Sequence, residues 1–318
     1  MRVTVIGCGR WGSFISWYLD RNGHSVTLYG RSGSRNMERF LATRSNDFLE
    51  LGTTIELTTS LECVKEAEII VISIDSQGLA ALLEELRGYG VEGKSIVLCM
   101  KGLEIGTGRR LSEIAAQTLP ESCRTAVWLG PGHVQEFVKG VPNCMVIDSL
   151  DEQLKRDLVD AFSSELIRFY YGADLIGSEI GAAAKNVIGI AAGILDGLNI
   201  GTMKGALMSR GTREIARLIS ALGGNELSAY GLCHLGDYEA TVFSEHSHNR
   251  RFGELLARGV SYDKLAEGYY TARAITELAE RHDVELPICS AVHDVLFGGA
   301  GPIERIGELF TRSIKNEF

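Results

Sequence analysis

Short apolar runs rich in β-branched residues alternate with amphipathic stretches over the first half of the chain. The runs lie at residues 2–6, 25–29, 54–57, 69–73, 95–99, 125–128 and 144–147. Their length and composition predict buried strands. Helical periodicity falls between them at 11–21, 77–86 and 109–118. Strand and helix in alternation imply the α/β class, with a parallel, doubly wound sheet. The pattern changes near residue 175. Beyond it nearly everything is helical in period, with long helices expected over 179–198, 204–222, 264–282 and 291–297. No Pro- or Gly-rich linker marks the change, so the boundary is read within 172–178. This gives a first domain over 1–175 and an all-helical second domain over 176–318.

The turn after the first strand carries Gly7, Gly9 and Gly12, with Cys8, Arg10 and Trp11 between them. This is G-x-G-x-x-G placed between a strand and a helix. Gly7 allows the tight turn, Gly9 lets a pyrophosphate approach the backbone, and Gly12 lets the helix pack on the strand. The phosphates then meet unpaired N–H groups at the positive end of a helix dipole. The first domain is therefore read as a Rossmann-like dinucleotide-binding domain. An NAD site usually ends the second strand with Asp or Glu, which binds the ribose 2′-hydroxyl. Here Gly30 holds that place, followed by Arg31 and Ser32, with Arg35 nearby. A cation and a hydroxyl suit a 2′-phosphate, so NADP is the expected cofactor. NAD remains possible, because Arg31 is also able to stack on adenine.

In the second domain a single lysine, Lys185, stands among alanines and apolar residues, with Asn186 beside it. Such a lysine either snorkels to solvent or lines a site, where burial lowers its pKa and fits it for proton transfer. The cofactor motif favours the second reading. Net charge is −9, which argues against nucleic acid or an anionic membrane as partner. The seven cysteines are scattered and lack C-x-x-C spacing, as expected for reduced residues in a cytoplasmic protein. The chain opens directly on a strand, and neither a leader nor an apolar segment of membrane length is expected.

Further segments stand where strand ends or helix starts line a cleft. They are Ser76-Gln77, Lys101-Gly102-x-Glu104, Gly130-Pro131, Glu179-x-x-Ala182-x-x-Lys185-Asn186 and Arg210-Gly211. Gly231-Leu232-x-x-Leu235-Gly236-Asp237, Asn249-Arg250-x-Phe252-Gly253 and Glu267-Gly268 follow. With the glycine turn, this series resembles the soluble bacterial NAD(P)-dependent glycerol-3-phosphate dehydrogenase family, in order and over essentially the whole chain. The resemblance implies a Rossmann-like domain followed by a helical one, of the 6-phosphogluconate-dehydrogenase-like kind. It implies reduction of dihydroxyacetone phosphate, a small phosphorylated three-carbon substrate, to sn-glycerol 3-phosphate for glycerophospholipid synthesis. It also implies a homodimer. Under it Lys185 transfers the proton and Asp237 orients it. Lys101 touches substrate and cofactor, and its charge is expected to depress the pKa of one of the two lysines. Gly130, Gly132, Asn186, Ser247, His248, Asn249 and Arg250 fall at substrate-facing positions. Arg10, Trp11, Arg31, Ser32, Val134, Arg250 and Glu267 fall at cofactor-facing ones.

The departures cluster on the substrate side. His248 stands where the family usually has arginine, Gly132 where it has Ser or Thr, and Asp75 where it has Pro. Thr202 replaces Asn and Tyr238 replaces Leu. Histidine lacks the bidentate fork of arginine, so Arg250 or Arg251 is a candidate to compensate. Two other readings follow: the same hydride chemistry on another small anionic ketone, and a cofactor-binding regulator without turnover. His234, Asp237, His246 and His248 lie within fifteen residues. A metal would need three such groups to converge, and none is expected. A Ser-His-Asp hydrolase lacks its G-x-S-x-G elbow.

Overall fold

The structure is a computed structural model and describes residues 1–313. Two compact units make up the chain: Met1–Lys101 with Arg109–Glu179, and Gly102–Gly108 with the chain from Ile180 onward.

The first unit holds eight strands: β1 (Arg2–Ile6), β2 (Ser25–Tyr29), β3 (Glu56–Thr58), β4 (Ile69–Ile72), β5 (Ser95–Leu98), β6 (Arg124–Leu129), β7 (Asn143–Asp148) and β8 (Ile167–Tyr171). Its helices are α1 (Arg10–Arg21), α2 (Arg35–Thr43), α3 (Leu79–Arg87), α4 (Leu111–Thr118), α5 (Val134–Val138) and α6 (Glu152–Phe162). One sheet forms in the order β3-β2-β1-β4-β5-β6-β7-β8. β1 to β6 are parallel, with Val5 opposite Leu28 on one side and Val71 on the other. β1 and β4 are buried throughout except at Arg2, which is why they read as continuous apolar runs.

The sheet is mostly parallel rather than wholly so, because β7 runs antiparallel to β6. The cause lies in the connection. β6 has six residues, about 20 Å, whereas the five-residue α5 spans only about 7.5 Å. A helix that short cannot carry the chain back to the start of the sheet. The eleven-residue α6 can, and it sets β8 parallel to β7. β8 has no counterpart among the expected strands. It buries Ile167 and Phe169 and exposes Arg168 and Tyr170, as an edge strand does. Beneath β6 to β8, Trp128 meets Phe169 edge-on at 4.9 Å and packs with Phe14, Tyr18 and Phe162 in one core.

The helices α7 (Leu175–Gly197), α8 (Lys204–Ala221), α9 (His248–Ala257), α10 (Glu267–Arg281), α11 (Pro287–Phe297) and α12 (Pro302–Thr311) follow. The first residues of α7 belong to the first unit and the remainder to the second. No membrane-length apolar segment is expected from the sequence, yet α7, with 23 residues, is long and apolar enough to cross a membrane. Of its most apolar window 89% is buried inside the protein. Ala182, Ala183, Ala184, Val187, Ile188 and Ile190 give it a core on every side. A glycine at every fourth position on one face brings α9 very close. A Cβ on Gly193 would lie 1.9 Å from the Arg250 carbonyl, and one on Gly197 2.6 Å from that of Glu254. This contact fixes where α9 presents its first turn.

Candidate active site

In the first unit the site features gather at the carboxyl end of β1, where the strand order reverses between β1 and β4. Gly7 turns the chain with φ +113°, and a Cβ there would stand 2.1 Å from the Ser73 carbonyl oxygen. A Cβ on Gly12 would stand 1.8 Å from the carbonyl oxygen of Gly7. Both glycines are demanded by the fold. Gly9 is different: its backbone is ordinary, at φ −72°, and nothing of the chain lies within 4 Å of where a Cβ would be. No side chain caps α1, and its first turn has no acidic residue. An open space at Gly9 beside uncapped N–H donors is what a pyrophosphate requires, so the residues present fit a dinucleotide.

Around this turn, Arg10 sets its guanidinium 5.8 Å from the Phe48 ring centre, and Trp11 packs half-buried on Phe14 and Phe137. At the end of β2, a Cβ on Gly30 would lie 2.6 Å from Cys8 Sγ and 2.8 Å from Met37 Cβ. Packing therefore bars any side chain there, a ribose-binding carboxylate included. Arg31 and Ser32 follow, both exposed. Lys101 lies past β5 and donates from Nζ to the Gly130 carbonyl at 2.7 Å. Gly132 has φ +149°, and its Cβ position falls 2.3 Å from the Phe137 ring. The hydroxyl residue usual in the resembling family has no room here, because Phe137 fills the space. Val134 opens α5 and is buried. Asp75, in place of the usual proline, accepts from the Gln77 N–H at 2.8 Å and caps the turn Ser76–Gly78. Glu179 serves the fold: it is buried, pairs with Arg110 at 2.8 Å and accepts from the Ser112 N–H at 2.9 Å. Burial raises its pKa, and the Arg110 charge opposes the rise.

The second unit assembles a different set. Lys185 is 8% exposed. Its Nζ donates to Thr241 Oγ1 at 2.7 Å and stands 3.0 Å from Asp237 Oδ2. Asp237 closes the short turn Leu235–Asp237, and Thr241 follows four residues later within a π-helical turn, Glu239–Phe243. Such turns recur at functional sites. Next to Lys185, Asn186 accepts from Asn249 Nδ2 at 3.0 Å, while Asn249 Oδ1 accepts from the Gly268 N–H at 2.9 Å. The Gly268 donor fixes which way the Asn249 amide faces. Ser247 caps α9 by accepting from the Arg250 N–H, and His248 Nδ1 meets the Tyr262 hydroxyl at 2.5 Å. Glu267 opens α10, half-buried. The structure thus brings Lys185 together with Asp237 and Thr241, and the adjacent Asn186 together with Asn249 of α9.

Arg250 stands apart from this group. Its guanidinium pairs with Asp196, donates to the Ser244 carbonyl at 3.0 Å and leaves only 14% of the side chain exposed. Asp196 also holds Lys204 at 2.7 Å, and Arg251 pairs with Glu254 at 2.9 Å. Thr241 and Tyr262 have no place among the residues expected from the sequence, and His234 enters there only among the groups weighed for a metal. The four-residue step from Asp237 to Thr241 was the one available signal. His234 is fully buried, and its ring nitrogens lie 2.8 Å from the Gly181 carbonyl and 2.7 Å from the Tyr238 hydroxyl. Among the described residues no three His, Cys, Asp or Glu side chains gather as a metal-holding group.

A doubly wound sheet with an open glycine turn, joined to helices bearing a buried lysine–aspartate pair, defines a dinucleotide-dependent oxidoreductase. Comparison with known proteins is more specific. The model of the NAD-dependent glycerol-3-phosphate dehydrogenase N-terminus matches residues 2–155, and that of the C-terminus matches 174–306. The chain belongs to this family. It is 35% identical over 329 residues to glycerol-3-phosphate dehydrogenase (NAD(P)+) of Thermoanaerobacter sp. (strain X514), covering 100% of this chain and 99% of the relative. The enzyme of the same name from Chlorobium limicola is 35% identical over 332 residues, covering 100% and 99%. Among solved structures, glycerol-3-phosphate dehydrogenase (gpsA) from Coxiella burnetii superposes with a TM-score of 0.92 at 28% identity, covering 98% of this chain and 99% of that one. A ketopantoate reductase from Ralstonia eutropha, at TM-score 0.65 and 15% identity, shares the fold.

Proposed function

We propose that this NAD(P)-dependent dehydrogenase reduces dihydroxyacetone phosphate to sn-glycerol 3-phosphate, with Lys185 as the proton donor. The observation that carries this reading is the buried Lys185 ammonium, set 3.0 Å from Asp237 and 2.7 Å from Thr241. Residues 1–175 contribute Gly7, Gly9, Arg10, Trp11 and Gly12 at the pyrophosphate, Arg31 and Ser32 at the ribose, and Lys101 and Val134 as further cofactor residues; Glu267 is the cofactor residue contributed by residues 176–318. When bound, the nicotinamide supplies hydride to the carbonyl carbon. Lys185 gives a proton to the carbonyl oxygen as negative charge develops there, and the alcohol results. Asp237 and Thr241 each take one ammonium N–H, which fixes the direction of Nζ. For the substrate, residues 176–318 contribute Asn186, Ser247, His248 and Asn249, and residues 1–175 contribute Lys101, Gly130 and Gly132.

NADP is the preferred cofactor in this proposal. The barred carboxylate at Gly30 and the exposed Arg31 and Ser32 support it. The chain works as a cytoplasmic homodimer. Buried thiols at Cys8, Cys99 and Cys289 fit a reducing compartment, and the exposed Ile303 and Phe310 of α12 fit a subunit contact. A substrate panel tests the reading by nicotinamide absorbance. Dihydroxyacetone phosphate is expected to be turned over best, and NADPH to outperform NADH. Faster reduction of another small anionic ketone would overturn the assignment.

A further inference from the structure

His234 has a specific set of partners behind the Lys185–Asp237 pair. Its Nδ1 lies 2.8 Å from the Gly181 carbonyl oxygen, which can only accept, so Nδ1 carries the proton. Burial pushes the imidazole pKa down to about 4, and the nearby Lys185 charge acts in the same direction. The ring is therefore neutral at neutral pH, its Nε2 is an acceptor, and the Tyr238 hydroxyl donates to it at 2.7 Å.

Gly181 precedes Lys185 by four residues on α7. In an α-helix its carbonyl is the one that receives the Lys185 backbone N–H. His234 thus binds the turn of α7 that bears Lys185. Gly181 is small enough to allow this, since a Cβ there would stand 2.9 Å from His234 Cβ. On its other side, the His234 carbonyl accepts the Asp237 N–H at 3.0 Å and closes the turn that presents Asp237. One residue ties the two backbones whose side chains meet at 3.0 Å. Tyr238, at 0% exposure, holds the ring from the far side.

We infer that His234 and Tyr238 are positioning residues, a buried imidazole–phenol brace that fixes Lys185 against Asp237 for proton transfer. The inference rests on the reading of Lys185 as proton donor. Small displacements of a catalytic group are costly in rate, because the transfer needs a short, aligned path. Tyr238→Phe removes one hydroxyl and keeps the ring that fills the core. It is expected to lower kcat for dihydroxyacetone phosphate by about tenfold, with KM for substrate and cofactor within about twofold. The solvent deuterium isotope effect on kcat should rise as proton transfer becomes limiting. His234→Asn retains a donor for Gly181 and loses the Tyr238 bond, so it should show the same split. Adding Tyr238→Phe to it should cost nothing further. A folded Tyr238→Phe protein with wild-type kcat and isotope effect would overturn the brace, and that variant decides the matter if His234→Asn does not fold. Lys185→Ala serves as the control. If it keeps turnover, the proton-donor reading fails; if it loses turnover while Tyr238→Phe does not, only the brace fails.

Discussion

Replacing Gly9 by alanine separates what the glycine turn does for the fold from what it does for a ligand. At Gly9 the backbone lies at φ −72°, ψ −174°, which alanine adopts without strain, and the added methyl meets no atom of the chain within 4 Å. Two small terms act on stability. Loss of unfolded-state freedom stabilises by about 0.4–1 kcal/mol. Alanine is poorer than glycine as a helix N-cap, typically by roughly 0.5–1 kcal/mol. They oppose each other, so the cofactor-free protein should melt within about 4 °C of wild type. Binding should respond very differently. A methyl in the open space displaces the pyrophosphate from the α1 donors, and charge-assisted hydrogen bonds are worth about 1.5–3 kcal/mol each. Loss of one corresponds to roughly ten- to hundredfold weaker binding. Gly12→Ala makes the contrast: its methyl would stand 1.8 Å from the Gly7 carbonyl oxygen, so the fold itself should lose stability. The assay pairs thermal unfolding of cofactor-free protein with NADPH titration followed by nicotinamide fluorescence. Wild-type NADPH affinity in Gly9→Ala would refute the placement of the pyrophosphate. A melting loss as large as that of Gly12→Ala would show that Gly9 serves the fold after all.

Arg31→Ala should weaken NADPH binding about ten- to hundredfold and NADH binding little; equal losses would remove the case for NADP. His248→Arg should tighten dihydroxyacetone phosphate, because a guanidinium gives a phosphate two bonds where imidazole gives one. An unchanged KM would mean that another group already holds the phosphate. His234 predicts acid sensitivity. Its folded pKa is lowered from 6.5 to about 4, so below pH 6.5 the unfolded chain takes up a proton that the folded one refuses. Stability is then steady above pH 6.5 and falls between pH 6.5 and 4, by on the order of 3 kcal/mol from this residue. Urea unfolding across that range should show a shallower loss in His234→Asn, and identical slopes would contradict the assignment.

The strands were legible because parallel strands buried on both faces leave unbroken apolar runs, as at Ile69–Ile72. β8 was not, since Arg168 and Tyr170 face out and interrupt the pattern. The reversal at β7 was also hidden, because strand direction depends on how far α5 reaches and not on β7 itself. In the site, Gly7, Gly9 and Gly12 could be read from spacing, yet spacing does not tell that Gly9 alone is spared by the fold. Lys185 was conspicuous as a lone cation among alanines, and Asp237 came with the family resemblance. Arg250 shows the limit of such reading. Its partner Asp196 is 54 residues away in sequence. No local pattern reveals that a guanidinium near the motif is engaged by a carboxylate on another helix. His234, bonded to Tyr238, likewise reaches the Lys185 helix only through the Gly181 carbonyl, a link made when α7 packs on the Asp237 turn.

Single-turnover reduction of dihydroxyacetone phosphate by the Lys185→Ala protein tests the central claim most directly. NADPH titration on the same sample serves as the check of folding. Proton donation by a positioned side chain contributes about 10²–10⁴-fold, so the reduction rate should fall by that amount while NADPH affinity stays within about twofold. Ethylamine added in solution, able to supply an ammonium where Nζ stood, should restore part of the rate. A Lys185→Ala protein that binds NADPH and reduces the substrate at near the wild-type rate, with no response to the amine, would contradict the account.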